Sequence, residues 1–230
     1  MDKIKLFIKN LLKVIAVFFI YFISINLFTI ILKKIKLNNH PNICSSIIYL
    51  FSAIILFIIF RKDLISSFKD FKENYKKYLK KGFKIYLICL LITYVCNIII
   101  YKYMGNIVAT NEQLNRDIIN TNLVFAIYLM CIMAPFEEEI LFRLNFKKLF
   151  NNKIVFSILT GILFGSMHII SAGTKELIFL LPYSFLGIGL GYIYYDTDNI
   201  YTSMFFHFFN NAFSILILLL AEIIWKDLYV

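Results

Sequence analysis

The chain has 230 residues, of which 60% are hydrophobic, 18% aromatic and only 17% charged, and its mean hydropathy is +0.77. A soluble domain is about half apolar and a quarter charged, so this composition excludes one; eight Gly, three Pro and four Cys also exclude collagen-like, disordered and disulfide-stapled chains. The net charge of +10 comes with no motif that reads RNA or DNA, so no nucleic-acid partner is expected.

Seven stretches contain no Lys, Arg, Asp or Glu: 14–32, 43–60, 85–101, 118–136, 154–174, 177–195 and 199–221. Each approaches the roughly 20 residues that a helix needs to cross the hydrocarbon layer, and the alternation of a membrane β-barrel is absent. The expected fold is all-α: a polytopic membrane helix bundle of about seven to eight transmembrane helices. Lys3, Lys5, Lys9 and Lys13 precede the first run, but its length and the lack of a small-x-small cleavage pattern mark a retained helix, not a secretory signal. With the N-terminus in the cytoplasm, 17 basic residues fall inside and 7 outside, which supports that orientation; the acidic turn of Asp196 and Asp198 would be an exception on the inner side. The Lys-, Ile- and Asn-rich composition resembles that of an AT-rich bacterial genome, so a bacterial cytoplasmic membrane is expected.

Between the second and third runs, Leu64, Phe68, Phe71, Tyr75 and Tyr78 recur at helical spacing among lysines. The segment 61–84 therefore reads as a cytoplasmic interfacial amphipathic helix facing the anionic leaflet of the lipid bilayer. The polar segment 102–117 reads as an outer loop. Cys44, Cys89, Cys96 and Cys131 stand without CxxC or His partners and read as small apolar filling.

Three places put polar groups into apolar sequence, where an ionisable side chain costs about 2.5–3.5 kcal/mol and is a functional candidate by default. In Ala134-Pro135-Phe136-Glu137-Glu138-Glu139-Ile140-Leu141-Phe142-Arg143, Pro135 suits the first turn of a helix, which would place the carboxylates near its positive N-terminus. Glu139 and Arg143 then share a face and can pair, while Glu138 turns about 100° away and is free for chemistry. Only three of the 24 basic residues are Arg, which suggests a demand for bidentate geometry at 143. In Phe164-Gly165-Ser166-Met167-His168, the imidazole lies one turn beyond Phe164, and Gly161 with Gly165 offers a close-packing face. In His207-Phe208-Phe209-Asn210-Asn211, His207 and Asn211 share a face. A carboxylate base, two imidazoles and an amide suit hydrolysis by activated water, whereas no GxSxG elbow, HExxH helix or Cys beside a motif His is present.

These residues resemble the motifs EExxxR, FxxxH and HxxxN of the CAAX prenyl protease and bacteriocin-processing (CPBP, or Abi) intramembrane proteases, over about 118–221. The resemblance implies a glutamate-dependent intramembrane endopeptidase acting on a peptide or membrane-protein substrate. Glu138 would activate water, His168, His207 and Asn211 would surround it, and Glu139 and Arg143 would organise the site. It leaves open whether Glu138, His168, His207 and Asn211 hold Zn2+ or form a metal-free oxyanion site. It divides one structural domain into N-terminal helices, 1–117, and a catalytic core, 118–222. The sequence departs in carrying Glu137 as a third acid and Leu144 where a Gly often follows the Arg. The alternative is a non-catalytic membrane protein, such as a bacteriocin self-immunity factor, using the same polar cluster for packing.

Overall fold

The computed structural model describes residues 2–170 and 173–229; Ser171 and Ala172, inside the fifth expected run, and Val230 lie outside the described residues. The described chain is an all-α membrane bundle. Helices α1 (Asp2–Lys34), α2 (Pro41–Met104), α3 (Thr110–Thr121), α4 (Leu123–Ala126), α5 (Ala134–Glu139), α6 (Lys153–Ile169), α7 (Leu180–Thr197) and α8 (Ile200–Tyr229) follow one another through short connections. The polarity is inverted relative to a soluble protein: Ile4, Phe19, Ile58, Leu91 and Ile154 are exposed, whereas Glu137, Glu139 and Arg143 are buried. Apolar side chains facing outward are what a lipid surround favours.

Two expectations need correction. The second run, the basic segment 61–84 and the third run form one 64-residue helix, α2, with no break at either end of the basic segment. If straight, it would hold Ser52 and Tyr86 about 51 Å apart at 1.5 Å per residue. Instead Ser52 bonds Glu137, Ser67 and Asp70 bond Asn199, and Tyr86 reaches Asn210, so α2 curves around one end of the bundle. A foreign side chain on a helix carbonyl is a recognised cause of bending, and Asn199 Nδ2 donates to Ser67 O at 2.8 Å. Consequently part of the amphipathic stripe faces protein: Leu64 is fully buried, and Phe68 and Phe71 pack on Tyr201.

The second correction concerns the segment read as an outer loop. Much of it is helical, because α3 runs from Thr110 to Thr121, with Glu112 and Arg116 paired across one turn at 3.0 Å. The fourth run is accordingly shorter at its start. At Asn122 the backbone is extended, and its side chain accepts from Phe125 N–H at 3.0 Å, which caps α4.

The acidic turn between α7 and α8 is the exception in the basic-residue count, and the fold accounts for it. Asp196 pairs with Lys81 and Lys153, both at 2.9 Å, and Asp198 with Lys147 at 2.8 Å. The acids thus lie at the lysine-rich end, where 61–84 and 143–153 also meet.

The helices that carry the second motif and the glycine-rich stretch pack most closely. An added Cβ at Gly165 would lie 2.8 Å from Ser184 N, and one at Gly187 2.9 Å from Gly161 Cα. Bare backbone on both sides lets α6 and α7 touch.

Candidate active site

The first motif lies within a continuous helical rod, not at a fresh helix start. From Leu123 the chain passes through a π-helical stretch, Ile127–Met133, then α5, then a second π-helical stretch, Ile140–Leu144. Pro135 has no N–H and cannot continue an α-ladder, so the wider turn precedes it without ending the rod. The carboxylates are therefore not stabilised by an exposed helix N-terminus; side chains from other helices, with Arg143 of the rod itself, hold Glu137 and Glu139.

Each Glu meets a different environment. Glu139 is fully buried: Arg143 Nε stands 3.4 Å from its Oε2, His207 Nδ1 lies 3.0 Å from its Oε1, and Ser203 Oγ donates to Oε2. Because a carboxylate can only accept, His207 carries its proton on Nδ1, which turns Nε2 toward Glu138 Oε2 at 3.8 Å. Arg143 is also held from α7, donating from Nη2 to Gly187 O at 3.1 Å, and its guanidinium lies over the Phe164 ring at 5.0 Å. These partners satisfy the sequence expectation of an i, i+4 pair and add the bundle around it.

Glu137, the extra acid, is 1% exposed and saturated by hydroxyls: Tyr21 donates at 2.6 Å and Ser52 at 2.5 Å. It ties α1 and α2 to α5. Tyr21→Phe removes one of these donors and leaves a buried acceptor, a loss of about 1–3 kcal/mol. A lower melting temperature of the detergent-purified protein is the expected outcome; an unchanged one would refute the tie.

Glu138 is the remaining carboxylate. Its side chain is 26% exposed, and its buried Oε2 has no hydrogen-bond partner among the described residues. It is the one acid of the three left uncommitted among the described residues, whereas Glu137, the third acid, is not.

The second and third motifs converge through Phe164. Its ring lies 4.5 Å from the His168 ring and 5.5 Å from that of His207. His168 Nδ1 donates to Phe164 O at 2.9 Å, and the ring stacks on Tyr183 at 4.7 Å. Nε2 is thereby left for other partners, as in His207. Asn211 is committed differently, donating from Nδ2 to Met130 O at 2.7 Å.

Sequence reasoning missed Ser203, Tyr21 and Ser52 as supports. Ser203 carried a usable signal, since it stands one turn before His207 on the same helix. Tyr21 and Ser52 carried none, being 116 and 85 residues from the carboxylate they hold.

Zinc is the ion whose presence the family resemblance leaves open. Imidazoles whose Nδ1–H is fixed by an acceptor suit ligation by Nε2. However, no group of three or more His, Cys, Asp and Glu side chains gathers at metal-binding spacing among the described residues. A catalytic zinc takes three protein ligands, so this side-chain arrangement does not fit the ion.

Comparison with known proteins leaves the family as the informative match. No curated protein and no solved structure matches the chain. Residues 120–213 match the family model described as "Type II CAAX prenyl endopeptidase Rce1-like", a stretch that holds Glu138, Glu139, Arg143, His168, His207 and Asn211. Residues 120–213 are thus similar to the CAAX-protease family that the motifs resemble, in a chain whose described residues include four helices long and apolar enough to cross a membrane.

Proposed function

We propose that this protein is an intramembrane endopeptidase in which Glu138 activates the attacking water. The observation that carries this reading is the uncommitted, partly accessible Glu138 carboxylate 3.8 Å from His207 Nε2, beside a Glu139 whose bonds are all used. Glu138 takes a proton from water as the oxygen attacks the peptide carbonyl. His207, held at Nδ1 by Glu139, meets the oxyanion with Nε2–H; Glu138 then passes its proton to the departing amine nitrogen as the C–N bond breaks. His168 approaches this pair across the Phe164 ring, and Arg143 holds Glu139 in place. The substrate is a peptide or membrane-protein segment presented near the lysine-rich end of the bundle. In a bacterial cytoplasmic membrane with the N-terminus inside, that end faces the cytoplasm.

The test is cleavage of a fluorogenic peptide ending in a farnesylated CAAX sequence by the full chain in lipid vesicles. Wild type should cleave it, and Glu138→Gln, His207→Ala and His168→Ala should each lose most of the activity. Equal rates in wild type and all three variants would sink the protease reading. Prolonged dialysis against a zinc chelator is expected to leave the wild-type rate unchanged. A loss that zinc alone restores would show that the donors rearrange to hold metal.

A further inference from the structure

The carbonyl of Met130 receives a hydrogen bond from a side chain 81 residues away, Asn211 Nδ2 at 2.7 Å. The local backbone supplies the reason. In the π-helical stretch before α5, Ala134 N–H donates to Leu129 O, five residues back. The next rung would run from the N–H of residue 135 to Met130 O, and residue 135 is Pro, which has no N–H. At membrane depth no bulk water replaces the missing donor. Asn211 fills the gap, and it is itself held: its Oδ1 accepts from Asn210 Nδ2 at 3.3 Å, and Asn210 Oδ1 accepts from Tyr86 at 3.4 Å.

We propose that Asn211 is a positioning residue whose amide gives Met130 the hydrogen bond that Pro135 cannot, latching the helix that bears His207 to the rod that bears Glu138. His207 lies one turn before Asn211 on α8, and Glu138 two turns beyond Met130 on the rod. The rod and α8 run in opposite directions here, so the latch lies on one side of the Glu138–His207 pair, before Glu138 on the rod and after His207 on α8, and sets the separation of that pair. The catalytic consequence rests on the protease reading; the hydrogen bond is tested without it.

A double-mutant cycle is the experiment, because Pro135→Ala restores an N–H to the rung. Asn211→Ala alone is expected to lower the melting temperature of the full chain in detergent by about 2–4 °C, and to lower it by less than half as much in the Pro135→Ala background. Equal losses in the two backgrounds would overturn the proposal. Met130–Cys131 is the only Met–Cys pair in the sequence, so 13C-carbonyl Met with 15N Cys isolates the Met130 carbonyl in a spectrum. That resonance should move in Asn211→Ala and in the near-isosteric Asn211→Leu; if it stays put in both, the latch does not exist. Should Pro135→Ala fail to fold, these two variants still decide that point. For positioning, the vesicle assay should show kcat about tenfold lower in Asn211→Ala, about 1.4 kcal/mol, with KM unchanged and kcat recovered in the double variant. Coupled stability without recovery of kcat would refute the positioning role, and cleavage insensitive to Glu138→Gln would instead refute the protease reading.

Discussion

Glu138→Gln is expected to reduce peptide cleavage by about 10²–10⁴-fold, the range over which a positioned general base contributes. The substitution keeps the shape and removes the charge. Glu138 makes no hydrogen bond through its buried Oε2 that the amide would break, so the variant should accumulate and melt like wild type. Loss of rate with normal stability is the signature of a group used only in chemistry. Glu137→Gln supplies the contrast, since its carboxylate is occupied by Tyr21 and Ser52 and the amide must disturb both bonds. It should lower stability and leave much of the rate per folded molecule. A Glu137→Gln variant that is stable but inactive, beside an active Glu138→Gln variant, would shift the base by one residue.

Arg143→Met should have the largest effect on folding. The guanidinium and Glu139 are both fully buried, and deleting one partner strands the other charge among Phe142, Phe164 and the α7 backbone. Breaking a buried pair in this way costs about 3–5 kcal/mol, enough for the protein to be lost from membranes. Arg143→Lys should recover little, because a point charge on a flexible stem cannot meet Glu139 and Gly187 O together as the planar guanidinium does. The double variant Arg143→Met with Glu139→Gln removes both charges and should regain part of the melting temperature. It should remain inactive, because the His207 ring then loses the carboxylate that orients it. Membrane accumulation and thermal unfolding in detergent measure the first effect, and the vesicle assay the second. Normal accumulation of Arg143→Met would mean that the pair is dispensable.

Much of the site was legible because its spacings are local. Residues four apart on a helix share a face wherever the helix sits, and this alone predicts the Glu139–Arg143 pair, His207 with Asn211, and the contact of the His168 ring with Phe164. That the chain forms long apolar helices was legible for a similar reason, since uncharged length is a property of a segment; among the described residues four helices are long and apolar enough to cross a membrane, not the seven to eight expected. The curve of α2 was not, because nothing in 61–84 stops a helix; Asn199, more than a hundred residues later, engages the Ser67 carbonyl. The acids of the α7–α8 turn likewise gained a rationale only from lysines on α2, at the start of α6 and on the segment before it.

The sequence by itself determined that the chain is an all-α membrane protein, and that three carboxylates, two imidazoles and an amide interrupt its apolar runs at helical spacing. Only the tertiary structure decided which carboxylates have partners and which has none among the described residues. Three adjacent Glu are chemically identical until other helices supply partners. Hydroxyls from α1 and α2 take Glu137, and Arg143, Ser203 and His207 take Glu139. Glu138 stays uncommitted because, among the described residues, no donor comes within hydrogen-bond distance of its buried oxygen, His207 Nε2 stopping at 3.8 Å.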